Sequence, residues 1–105
     1  MSEPGAPLSI TPTSDGIAVA GEIDAHTAPA VAAALAAAEQ DPLVVDLSGV
    51  DFVDSSGLRV LLEAHQARQA VGNSLVLSQP SPAVQRVLDV AGVDAYLDVT
   101  SSPEA

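Results

Sequence analysis

The sequence predicts an α/β fold: a single domain with a mostly parallel central sheet, an antiparallel N-terminal hairpin strand and about three packed helices. Three observations carry that prediction. Short β-rich runs alternate with longer helical runs in the order ββαβαβαβ, which implies parallel strands joined by right-handed helical crossovers. A length of 105 residues fits one domain, and a chain of this size buries roughly 60–70% of its unfolded surface. Finally, the apolar 48% is mostly alanine, valine and leucine, with Phe52 and Tyr96 the only aromatics, so the core is aliphatic and favours close helix–sheet contact.

Each element follows from its local pattern. LSIT (8–11) alternates as a short strand, DG at 15–16 signals a turn, and IAVAGEI (17–23) alternates again. The first two strands therefore read as a hairpin. Thr27 offers an N-cap and Pro29 sits in the first turn, where its missing N–H costs nothing. The alanine-rich run to about Gln40 has high helix propensity, with Val31 and Leu35 facing inward and Asp41-Pro42 as the stop. LVVDL (43–47) reads as a buried parallel strand.

The second helix is expected from near Ser56 to about Val71, ended by Gly72-Asn73. Its two apolar stripes, one through Leu58, Leu61, Leu62 and His65, the other through Val60, Ala64, Ala67 and Val71, suit a helix wedged between a sheet and another helix. Arg59, Glu63 and Gln66 form the wet face. SLVLS (74–78) is a fourth strand. Ser81-Pro82 opens a third helix with Val84, Val87, Leu88 and Ala91 in register up to Gly92, and YLDV (96–99) is the last strand. Residues 1–7 and 101–105 read as flexible ends.

Composition removes most chemistries. Fourteen acids against three bases (Arg59, Arg68, Arg86) give a net charge of −11. That balance disfavours nucleic acid and anionic membrane surfaces and fits a partner with a basic face, or simply keeps the chain soluble. The absence of cysteine excludes disulfides and thiol chemistry. The absence of lysine excludes a P-loop, Schiff-base chemistry and a lysine-assisted aspartyl-phosphate site. No signal-peptide pattern opens the chain and no apolar run approaches the ~20 residues of a spanning helix, so a soluble, cytoplasmic protein is expected.

Candidate sites then concentrate at one end of the sheet. Ligands and reactive groups in open α/β sheets gather at the carboxyl ends of parallel strands. Two loops should meet there, residues 21–27 and 51–57, bringing Asp24, Asp54, Ser55 and Ser56 together. A catalytic serine would need His26 or His65, but GVDFVDSSG is no nucleophile elbow, and His65 on an apolar stripe reads as a core histidine bonded to backbone. Asp46, Asp51 and Asp54 fit no calcium-loop spacing. No metal or other cofactor is implied. The Ser-Ser-Gly turn remains, either as a plain helix cap or as a phosphoacceptor, because a helix N-terminus tolerates an added dianion.

Three blocks carry a family resemblance: GEIDAHTAPAV (21–31), VVDLSGVDFVDSSGLRVLL (44–62) and SPAVQRVLDVAGVDAYLDV (81–99). They resemble the bacterial anti-sigma factor antagonists, built on the STAS domain, here over residues 8–100. The resemblance implies a STAS-like fold and a binding protein rather than an enzyme. It implies that Ser55, directly after the aspartate of DSSG, is phosphorylated by an anti-sigma factor with serine kinase activity. Ser56 would then be the structural serine that starts the helix. Asp24 would lie beside the phosphoserine, and Asp24, Asp54, Ser55, Ser56 and Gly57 would form the partner-binding surface. The unphosphorylated form would bind the anti-sigma factor and free a sigma factor in stress or sporulation signalling. Phosphorylation would end binding, and a phosphatase would restore it. The family often adds a helix after the last strand, where only residues 100–105 remain here. The competing expectations are a STAS scaffold module that is never phosphorylated and a small enzyme using Ser55 with His26.

Overall fold

The computed structural model describes residues 7–93 and 96–100. The expected flexible ends at 1–7 and 101–105 fall, apart from Pro7, outside the described residues. The elements are β1 (Ser9–Pro12), β2 (Gly16–Ile23), α1 (Ala28–Ala37), β3 (Leu43–Val53), α2 (Ser55–Ala70), β4 (Leu75–Ser78), α3 (Pro82–Ala91) and β5 (Asp98–Thr100). They build one five-stranded sheet in the order β1-β2-β3-β4-β5. The first pair is the expected antiparallel hairpin, and the other three pairings are parallel.

Alternation along β2, the first half of β3 and β4 gives the sheet one dry face. Ile17, Val19, Leu43, Val45, Leu47, Leu75 and Leu77 point into a single core. The helices close that core from the same side with Val31 and Leu35 of α1, Leu61 of α2, and Val84 and Leu88 of α3. Full burial of each such side chain contributes about 1.5–3 kcal/mol. The intervening strand residues, among them Ala18, Val44, Asp46 and Val76, are only half-buried. The expectation that residues 43–47 form a wholly buried strand is thus corrected: β3 is dry on one face only.

Two boundaries differ from expectation for tertiary reasons. α1 stops at Ala37, before Gln40, because Ala38 turns extended at φ −73°, ψ 137°. The carbonyls released there are taken by Arg68 of α2, whose Nη2 donates to Ala38 O at 2.6 Å and Nη1 to Gln40 O at 2.7 Å. β3 runs on to Val53, well past Leu47, because β2 keeps pairing with it as far as Ile23 with Val53. Register shifts between Ala18 and Ala20 and between Gly21 and Glu22 absorb the mismatch. The shorter β4 ends with Ser78 opposite Asp46, so β2 and β3 project beyond it.

α3 matches its sequence signals closely. Ser81 caps it by accepting from Val84 N at 3.2 Å, Pro82 opens it, and Gly92 closes it in the left-handed region at φ 69°. The last strand begins at Asp98, two residues later than expected. His65 is buried as a core histidine should be, but the expected backbone bond is not made at Nδ1, which has no hydrogen-bond partner among the described residues.

Candidate phosphoacceptor site

The projecting ends of β2 and β3 set the geometry of the site. Ile23 pairs with Val53, and the next residue, Asp54, donates its N–H to Ile23 O at 3.2 Å. The loops opened by Asp24 and Asp54 therefore leave neighbouring strands at the same end of the sheet, as the sequence predicts. Asp51 is corrected: it lies within β3, exposed, and not in the second loop.

Asp24 organises its own turn. Its Oδ1 accepts from His26 N at 2.9 Å and from Thr27 N at 3.0 Å. The Thr27 hydroxyl accepts from Asp24 N at 2.9 Å and donates to Glu22 O at 2.9 Å. Thr27 stands at the N-cap position of α1 but gives that helix no side-chain cap, because its hydroxyl is used in this turn. The Thr27 N–H holds the Asp24 carboxyl below the ordinary aspartate range; partial burial pushes the other way, and the His26 N–H and Thr27 hydroxyl add to the lowering.

Asp54 is the N-cap of α2, and this corrects the expected role of Ser56. The Asp54 Oδ1 accepts from Ser56 N at 2.9 Å and Gly57 N at 3.2 Å, and Leu58 N donates to Asp54 O at 3.0 Å. α2 accordingly begins at Ser55. Aspartate and serine are near-equal caps, and here the residue two positions earlier wins because its backbone is extended, at φ −114°, ψ −169°. Gly57 is buried beneath the turn: a Cβ there would lie 2.6 Å from Val53 Cγ2 and 2.8 Å from Ile23 Cγ2. Glycine lets the helix start sit directly on the paired strand ends.

With the cap assigned to Asp54, both serine hydroxyls are left unengaged by any described residue. Ser55 is exposed and Ser56 half-buried. Both line an open cleft of about 470 Å³, shared with Ala25, Ala28, Pro29, Arg59 and Val60. Arg59, part of the wet face by its sequence position, stands one helical turn after Ser55 and brings a cation to the same cleft. The i to i+4 spacing was the available signal. Neither Asp24 nor His26 lines the cleft, so the structure does not build a serine–histidine pair. Among the described residues no three potential ligands gather as a metal site, and Asp46, Asp51 and Asp54 stay apart.

Comparison with known proteins agrees with this architecture. The family profile described as "Mlab, STAS domain" matches residues 7–99. The anti-sigma-B factor antagonist of Listeria monocytogenes is 36% identical over 86 residues, covering 79% of this chain and 75% of that protein. That of Bacillus subtilis is 33% identical over 88 residues, covering 82% and 81%. The crystal structure of an anti-sigma factor antagonist from Mycobacterium paratuberculosis superposes with a TM-score of 0.77 at 26% identity, covering 93% of this chain and 87% of that one. The fold is also shared with the phosphorylated form of SpoIIAA from Bacillus, with a TM-score of 0.65 at 21% identity and coverage of 93% and 95%. The profile match and the two relatives together establish that this chain belongs to the STAS domain family of bacterial anti-sigma factor antagonists.

Proposed function

We propose that this chain is a cytoplasmic, non-enzymatic anti-sigma factor antagonist switched at Ser55. Its unphosphorylated form binds an anti-sigma factor with serine kinase activity, which then releases its sigma factor. Transfer of the γ-phosphoryl group of ATP to Ser55 Oγ, with loss of the hydroxyl proton and departure of ADP, ends that binding. A phosphatase resets the cycle. Asp24, Asp54, Ser55 and Ser56 form the surface the partner reads, and Gly57 supports it from below.

One observation carries the reading: the helix start is capped by Asp54, which leaves the Ser55 hydroxyl exposed and unbonded at the first helical position. A serine needed as a cap would be a poor acceptor, since a phosphate would destroy the cap. Asp54 already takes the first-turn N–H groups of Ser56 and Gly57. An incoming dianion therefore meets a carboxylate as well as the helix dipole, and Arg59 is the cation within reach. The result is a local change of charge on an unchanged fold.

Incubation with the cognate anti-sigma factor and ATP tests this. The intact mass should rise by one phosphoryl group, and Ser55→Ala should abolish the rise. A rise that persists in Ser55→Ala would move the site elsewhere. No rise with an active kinase would leave a STAS scaffold module, which binds without being modified.

A further inference from the structure

The five-stranded sheet has a second face that none of the helices among the described residues covers. Parallel strands are normally buried on both faces. Here the residues opposite the core form continuous rows across the sheet. Thr11, Ala18, Asp46, Ser78 and Thr100 stand in register from β1 to β5. Beside them run Val44, Val76 and Asp98. Ala18, Val44 and Val76 are half-buried, Thr11, Asp98 and Thr100 exposed. The face thus has a small apolar centre, hydroxyls around it and carboxylates at Asp46 and Asp98.

Its charge is one-sided. The chain has three basic side chains, and all sit on helices: Arg59 and Arg68 in α2, Arg86 in α3. The helices pack on the other side of the sheet, so no arginine or lysine of this chain can neutralise the acids here. A second copy docked by this face would set acids against acids without a counter-ion, which disfavours association. Phosphate backbones and anionic lipid are repelled for the same reason.

We infer that this uncovered sheet face is a second docking surface, taking a protein segment that presents lysine or arginine around small apolar side chains. The basic groups meet Asp46 and Asp98, and the apolar ones cover Val44 and Val76. The face lies across the sheet from α2, so its occupant does not compete with one bound at Ser55. The inference is independent of phosphorylation at Ser55 and goes beyond the switch proposed above.

The test uses the full, ¹⁵N-labelled chain and a capped peptide of alternating lysine and valine, with a lysine-only peptide of equal charge as control. The lysine–valine peptide should shift amides of Ala18, Val44, Asp46 and Val76, and bind at least roughly threefold more tightly than the control. Asp46→Asn with Asp98→Asn should weaken it at least roughly fivefold. Glu63→Gln with Asp89→Asn removes the same charge from the helices and should change affinity less than about twofold. Both variants should keep the melting temperature. Equal binding of the two peptides, equal effects of the two double variants, or shifts centred on the helices would overturn the inference. So would a dimer in sedimentation equilibrium that is lost in Val44→Lys, since that would make a second copy the occupant.

Discussion

The starts of α2 and α3 solve one problem in opposite ways. Both follow a strand, both offer serines, and both must satisfy free N–H groups. In α3 the serine does the work: Ser81 is buried and accepts from Val84 N. In α2 an aspartate takes over, with Asp54 accepting from Ser56 N and Gly57 N, and the hydroxyls of the two serines after it are left without a partner among the described residues. The cap assignment therefore separates a structural serine from an available one, and only the second kind suits a switch. A phosphate on Ser81 would tear out a buried cap, whereas one on Ser55 would project into an open cleft.

The largest effect is expected where α2 meets the strand ends. In Gly57→Ala the new methyl meets Val53 and Ile23 at 2.6 and 2.8 Å. Overpacking of this kind typically costs about 1–3 kcal/mol, and denaturant titration should place it at the upper part of that range. Next come the caps themselves. Asp54→Ala loses two accepted N–H bonds and should cost about 1–2 kcal/mol, and Ser81→Ala about 1 kcal/mol. Equal tolerance of Asp54→Ala and Ser55→Ala would break the comparison. The smallest effects belong to the free serines: Ser55→Ala and Ser56→Ala should each stay within about 0.5 kcal/mol of the parent. A loss of a full cap's worth in Ser56→Ala would return the helix start to that residue.

Asp24 offers a pH-dependent counterpart to Asp54. Hydrogen bonds from Thr27 and His26 lower its folded pKa. Its contribution to stability is therefore complete above the unfolded aspartate value of about 3.9 and is lost as the pH falls through the lower folded value. Asp24→Asn keeps an acceptor but not the charge. The stability difference between parent and Asp24→Asn should be present near pH 6 and shrink as the pH falls below the unfolded aspartate value of about 3.9. A difference independent of pH would assign the effect to packing rather than to the carboxylate.

Much of this was legible in the sequence, in proportion to how local its causes are. The hairpin, the parallel core and α3 with its Ser81 cap and Gly92 stop rest on neighbours in the chain, and they read correctly. The end of α1 does not, because the guanidinium that takes the carbonyls just after it, of Ala38 and Gln40, belongs to Arg68, 30 residues beyond Ala38. The length of β3 depends on irregular pairing with β2. Asp54 and Ser56 both carry good capping side chains, and only the backbone angles choose between them. The open sheet face is legible as Val44 and Asp46, set between Leu43, Val45 and Leu47. The two β-branched valines beside Leu43 made the run look buried on both sides. That Nδ1 of His65 finds no partner among the described residues leaves no trace in the sequence, since periodicity reports burial and not the partner a ring nitrogen finds.

The central claim is that phosphate on Ser55 changes a surface and not a fold. Calorimetric titration of the unmodified and Ser55-phosphorylated chain against the cognate anti-sigma factor tests it most directly, with circular dichroism and melting recorded on both forms. The account predicts the same spectrum, nearly the same melting temperature and an affinity at least roughly tenfold weaker for the phosphorylated form, a difference of about 1.4 kcal/mol. Equal affinities, or a loss of binding that tracks unfolding, would contradict it.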